Sequence, residues 1–524
     1  MLFNSYLFLF VFLPVTLVGY QIAGHFHRKA VVAWLGLMSL VFYACWHPAF
    51  LVVLLVSVAV NYTVAGLISR NIANPFASRA WLWTGICLNL GALGYFKYFV
   101  RVLNFASSAA GSSRHWADIV LPLGISFFTF TQIAYLVDLQ QGVATLQDIS
   151  SYVLFVTFFP HLIAGPILHH KEMMPQFQQS RRYQLRLSDV AVGLSWFIMG
   201  LGKKVLLADT FSETAKSAFA VHGPLPAILA WRGALCYALQ LYFDFSGYSD
   251  MALGLARMFS IDFPLNFSSP YKSKNIIDFW QRWHITLSSY ITTYLFTPIQ
   301  IWISARRQRM GRKVSRKALA TPEGFVSMVA FPTLVTMFIA GIWHGAGLQF
   351  IVFGVLHGSY LTVNHAWRIV RHNRMGAAMV DVRGPLARAV GHGSSVALTF
   401  FCVLLSLVFF RASSCGHALS MIRGMLLARG GLSTWMFGGE TRGKAVLDLL
   451  CMVGGFAIVW GMPNTQQILG RFKPALQVTG WDKEETPVHV LWSPRVGWAF
   501  TIGAIFFLAL VHIQDPSTFL YFQF

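Results

Sequence analysis

Apolar runs of bilayer-crossing length recur from one end of the chain to the other, divided by short polar stretches. They fall at residues 6–22, 31–44, 49–68, 81–95, 121–137, 152–168, 191–207, 225–242, 326–342, 348–363, 394–410, 445–460 and 496–511. A helix needs about 20 mostly apolar residues to cross the hydrocarbon layer. Lipid offers no partners for open backbone N–H and C=O groups, so spanning runs must be helical. The pattern predicts an all-α fold, a multispanning transmembrane helical bundle of roughly eleven spans, with the remaining runs re-entrant. The polar stretches 71–79, 107–118, 169–188 and 463–493 read as loops or interfacial segments. No internal repeat is visible, and residues 1–524 read as one transmembrane domain. The run 6–20 has no basic flank before it and no small-residue cleavage site after it. It is expected to be the first span rather than a signal peptide.

Composition agrees with the pattern. Of 524 residues 56% are hydrophobic and 11% charged, with a mean hydropathy of +0.57. A soluble domain carries about 25% charged residues. The net charge of +21 suggests nucleic acid until its distribution is read. Basic residues sit in short loops between apolar runs, most densely at Arg306, Arg307, Arg309, Arg312, Lys313, Arg316 and Lys317. That is the cytoplasmic bias of a membrane protein, with anionic lipid headgroups as neighbours, and no nucleic-acid partner is expected. Arg28-Lys29, the 306–317 cluster and the basic run 368–374 are therefore assigned to the inside. Two apolar runs separate the last two of these, joined by Trp343-His344-Gly345-Ala346-Gly347, so this turn is expected toward the outer face. The six cysteines show neither CxxC nor CxxH spacing, and no histidine pair has HExxH spacing. No disulfide framework and no metal centre is expected.

Three stretches are too polar for lipid-facing sequence. The first is Tyr242-Phe243-Asp244-Phe245-Ser246-Gly247-Tyr248-Ser249-Asp250. On a helix Asp244 and Tyr248 share a face at i,i+4, as do Ser246 and Asp250. Ionisable groups within a membrane are costly and face a bundle interior or a wet cavity. Two readings stand: a substrate-facing site, or a polar lock between helices. The second stretch, Asn266 through Tyr290, contains Tyr271 and Asp278-Phe279-Trp280-Gln281-Arg282-Trp283-His284. It reads as an interfacial or re-entrant helix, with Asp278 paired to Arg282 and with Trp280 and His284 on one face. The third is the Trp343–Gly347 turn, where glycines leave room for a substrate to approach His344. His344 is either a functional base or a helix cap that donates to terminal carbonyls. His161 and His357 read as packing or boundary groups, and His169-His170 as an interfacial loop.

Taken together, these residues resemble a known family. The runs 243–252, 266–273, 278–284 and 343–347, with Leu121–Phe130, Leu162–Pro166, Lys203-Lys204 before Ala208-Asp209, and the closing 519–524, are similar in kind and order to membrane-bound O-acyltransferases of the alginate O-acetylation type. The resemblance covers nearly the whole chain. Thr297-Pro298-Ile299-Gln300 departs from the family's usual Gly-Gly-Asn-Arg-like stretch. The likeness implies His344 as signature catalytic histidine and His284 as its companion. It implies a helical bundle pierced by a central tunnel, with the acyl donor entering from the cytoplasm. It also implies a location in the bacterial inner membrane and a periplasmic partner of the SGNH-hydrolase type.

Acyl transfer from a thioester to a hydroxyl needs a base for the proton and donors for the oxyanion. His344 is expected as general base, a role worth about 10²–10⁴-fold; covalent acyl transfer through it is the alternative. Trp343, Trp280, Trp283, Asp244, Tyr248, Asp250, Asn266 and Tyr271 are expected to bind donor or acceptor. Acetyl-CoA is the expected co-substrate, with no tightly bound cofactor, and an envelope or exported polysaccharide the acceptor. D-alanyl transfer to a teichoic-acid-like polymer and a polytopic transporter are the competing readings.

Overall fold

A computed structural model describes the chain except residues 113, 118, 180–184, 224, 376–383, 428–441, 474, 477–489, 514–518 and 521–524. The described residues are helical or irregular, with no strand among them. Among the described residues, seven helices are long and apolar enough to cross a membrane: Phe8–Phe26, Pro48–Arg70, Pro75–Ala109, Leu187–Ala220, Pro322–His344, Pro385–Arg411 and Gly443–Gly461. Phe76, Phe105, Leu386 and Phe500 each stand more than three-quarters exposed. With helices this long and apolar and with such side chains left exposed, the chain is a multipass membrane protein.

Several expected runs fold differently in detail. The run 152–168 does not form one helix. Ile149–Thr157 ends where Phe158 turns out of helical geometry (ψ 113°), and Pro160 lies in the single turn Phe159–Leu162 that follows. Proline lacks the N–H that helix continuation needs. The run 225–242 is the first half of a longer helix, Ala227–Met258, of 32 residues. The run 121–137 folds as Ile125–Gln140, after Gly124 takes a left-handed conformation (φ 73°). A Cβ there would fall 2.4 Å from the Leu162 carbonyl, so only glycine fits.

The chain divides into two compact units interleaved along the sequence. The first holds Met1–Leu206, Asp244–Leu265 and Thr465–Gln523; the second holds Leu207–Phe243 and Asn266–Asn464. In the first, the helix Leu187–Gly202 crosses residues 244–258 of the long helix at small side chains. A methyl at Gly193 would lie 2.5 Å from the Gly254 carbonyl, and one at Gly200 would lie 2.6 Å from that of Gly247. Both pairs repeat at seven residues, two helical turns, so the backbones touch along one seam.

In the second unit, Phe331–His344 and Leu348–Met375 form a helical hairpin. They approach as closely: a Cβ at Gly341 would lie 2.4 Å from the Phe350 carbonyl, and one at Gly354 would lie 2.3 Å from that of Met337. The hairpin holds His344 at the end of one helix against side chains of the next.

Candidate active site

Within the second unit, the segment 266–291 is built by caps and breaks. Asn275 accepts a hydrogen bond from the Asp278 N–H (3.1 Å) and starts the helix Ile276–Arg282. Asp278 pairs with Arg282 at 2.8 Å, as the i,i+4 spacing predicts. The helix then stops: Trp283 is extended and His284 is left-handed, with φ 44°. Trp280 and His284 therefore do not share a helix face. The αL residue at 284 breaks the 3.6-residue period on which that expectation rested. A bulky residue held at positive φ is costly and is kept where the surroundings fix it.

Those surroundings are specific. His284 Nδ1 lies 2.9 Å from Asn266 Oδ1, which also accepts from Thr286 Oγ1 (3.0 Å) and the Thr286 N–H (3.4 Å). Because that oxygen accepts from Thr286, it accepts from His284 as well, which puts the proton on Nδ1 and the lone pair on Nε2. His284 is 1% exposed, and burial pushes its pKa down to about 3, so the ring is neutral at pH 7.

His344 closes its helix and is buried among rings: Trp343 at 4.8 Å, Phe410 at 5.0 Å and Phe353 at 5.7 Å between centroids. From Phe353 the contacts continue to His357 (4.6 Å), then Trp280 (5.1 Å) and Phe279 (6.1 Å). Phe279 meets Trp283 at 5.7 Å, Trp283 meets Phe267 at 5.1 Å, and Phe267 meets His284 at 6.4 Å. His344 and His284 thus lie at two ends of one ring-lined cluster. Trp280 Nε1 donates to His357 Nδ1 at 3.2 Å. Tyr271 stacks on Trp283 and donates to the Ala238 carbonyl at 2.8 Å, so its hydroxyl braces the segment. His357, expected from the sequence to be a packing or boundary group, does more than that. It is packed, as expected, but it is also the acceptor that orients Trp280. Its i,i+4 spacing from Phe353 on a helix leaving the His344 turn is the only signal for it in the sequence.

Asp244, Tyr248 and Asp250 belong to the first unit. Asp250 Oδ2 pairs with Lys203 Nζ at 2.6 Å and accepts from Thr465 Oγ1 at 2.7 Å, while its other oxygen accepts from Trp196 Nε1 at 3.0 Å. Asp244 pairs with Lys204 at 2.7 Å, both side chains 3% exposed, and accepts from the Leu520 N–H at 2.9 Å. Phe519 packs edge-on against Tyr248 at 4.6 Å and lies under the Lys204 ammonium. Both carboxylates are neutralised by lysines of the Lys203-Lys204 motif, an arrangement that corresponds to the polar-lock reading. Leu520 and Phe519 bring the chain's closing motif onto that lock; its last four positions, 521–524, lie outside the described residues.

Bilayer-length helices, one of them ending at the buried, ring-lined His344, define a polytopic membrane protein. Residues 120–312 match the membrane-bound O-acyltransferase family model. The chain is 34% identical to a peptidoglycan O-acetyltransferase of Helicobacter pylori, over 100% of this chain and 98% of that protein. It is 35% identical to a probable alginate O-acetylase AlgI of Pseudomonas aeruginosa, over 81% of this chain and 75% of the relative. A teichoic acid D-alanyltransferase of Streptococcus thermophilus is 27% identical over 55% of the chain and 68% of its own length. The chain belongs to the membrane-bound O-acyltransferase family and is a membrane O-acyltransferase.

Proposed function

We propose that the chain takes an acetyl group from a cytoplasmic thioester, acetyl-CoA, and passes it across the bacterial inner membrane for O-acetylation of an envelope glycan. Donor and acceptor meet in a tunnel through a bundle of roughly eleven spans. Peptidoglycan is the favoured acceptor, because the relative aligned along the entire chain is named a peptidoglycan O-acetyltransferase. A periplasmic partner of the SGNH-hydrolase type completes the transfer.

The observation that carries this reading is the position of His344. It ends a 23-residue apolar helix, Pro322–His344, whose other end follows the basic 306–317 cluster. That length is about 34 Å, enough to cross a hydrocarbon core of about 30 Å. His344 takes the proton of an acceptor hydroxyl as its oxygen attacks the thioester carbonyl. The tetrahedral intermediate collapses with loss of the thiolate, which receives the proton from the imidazolium. His284, Trp280 and Trp343 position the reacting groups.

His344→Ala, with expression verified by immunoblot, is expected to lower base-released acetate from sacculi by about 10²-fold or more. Undiminished acetate overturns the assignment of His344. Chromatography of the released acid separates acetate from D-alanine, and release from an exported polysaccharide instead of sacculi overturns the acceptor.

A further inference from the structure

Asp138, His169 and His170 come from two parts of the first unit that are distant in sequence. Asp138 is in the last turn of the helix Ile125–Gln140; His169 caps the helix His170–Gln178, and His170 begins it. His169 Nε2 lies 2.8 Å from Asp138 Oδ2, and His170 Nδ1 lies 3.4 Å from the same oxygen. One donor atom from each residue falls within 4.8 Å of the others.

We propose that these three side chains bind a divalent transition-metal ion of the zinc class. The His169–Asp138 contact does not satisfy the third member of the cluster. His170 is 6% exposed, and neither of its ring nitrogens has a hydrogen-bond partner among the described residues. An imidazole buried without partners costs about 1–3 kcal/mol, which a metal at Nδ1 offsets. Two imidazole nitrogens and a carboxylate oxygen are the donor set that borderline ions such as Zn²⁺ prefer. Ligands held about 2.1 Å from a tetrahedral zinc stand about 3.4 Å apart, close to the spacings seen here. Tyr135 packs edge-on against the His170 ring at 5.6 Å and fixes its plane. The His169 side chain is 28% exposed, which gives an ion a way in.

Coordination requires one rearrangement. His169 Nδ1 accepts from the Lys171 N–H at 3.3 Å, so its proton is on Nε2, facing Asp138. The proton moves to Nδ1, Nε2 and Asp138 Oδ2 turn to the metal, and the long Lys171 contact is given up. The positive charge of Lys171 opposes the ion; the Asp138 carboxylate and the C-terminal end of the Ile125–Gln140 helix favour it. The ion then clips the end of one helix to the start of another.

The test uses full-length, tag-free protein in detergent, stripped with EDTA and titrated with Zn²⁺ or Co²⁺. The expected result is one ion per chain, a Co²⁺ ligand-field band, and a Zn²⁺-dependent rise in melting midpoint. His170→Ala and Asp138→Asn are expected to weaken binding by more than the 10–100-fold typical of losing an outer-sphere partner. His169→Ala, at the most exposed of the three positions, keeps the test decisive if the buried variants fail to fold. Equal affinity in wild type and His169→Ala, or no stoichiometric binding, overturns the site.

Discussion

Asn266 Oδ1 accepts from three donors, and two of them, on His284 and Thr286, are buried side chains. Asn266→Ala removes the acceptor that both donors share, at about 1–3 kcal/mol for each hydrogen bond lost in a buried setting. The detergent-purified variant is expected to melt well below wild type; an unchanged midpoint refutes the bond's importance. The Lys204–Asp244 pair invites a sharper test. Lys204→Met takes the neutralising cation from a carboxylate that is 3% exposed, at a cost of about 3–5 kcal/mol. The double variant Lys204→Met, Asp244→Leu removes both charges and is expected to melt above the single one; the opposite order contradicts a neutralising pair. Sequence reading succeeded at this scale where the partner was local. Asp278 and Arg282 need only a helix turn, so their pairing was legible. Lys203 is 47 residues from Asp250, and nothing short-range ties the two together. His284 was visible as a candidate, but not its left-handed backbone, and the Asn266 side chain that holds its ring lies 18 residues away.

The elements were most legible where length and apolarity alone decide them, as in Pro48–Arg70 and Pro385–Arg411. They were least legible where a break is set by contacts, as at Phe158 and His284. Glycines divide along the same line. Gly354 sits where the two helices of the His344 hairpin touch, and a Cβ there would lie 2.3 Å from a backbone carbonyl. Gly36 lies inside the helix Arg28–Ala44 with open space where its Cβ would be. Gly354→Ala must part the hairpin, shift the rings around His344 and reduce acetyl transfer. Gly36→Ala relieves a helix of its most flexible residue and is expected to stabilise by up to about 1 kcal/mol. Acetate release and melting midpoints of the two variants check both; equal behaviour would falsify the close-packing argument.

The sidedness of the chain decides whether its chemistry exports an acyl group. The basic cluster 306–317 and the turn 343–347 lie at opposite ends of Pro322–His344, a helix of bilayer length. A helix of that length that crosses the bilayer puts them on opposite sides, whichever way it points. Charge bias puts the cluster inside. Cysteines introduced at exposed positions distinguish the orientations: Arg312→Cys in the cluster and Ala346→Cys in the turn, each in a background lacking the six native cysteines. In intact spheroplasts a membrane-impermeant maleimide is expected to label the Ala346→Cys variant at once, and the Arg312→Cys variant only after permeabilisation. His344 then stands near the outer face, and a donor bound in the cytoplasm must present its thioester across most of the membrane, which demands the tunnel. The reverse labelling places His344 near the donor's own side, and the acetyl group must then cross after the chemistry rather than before it.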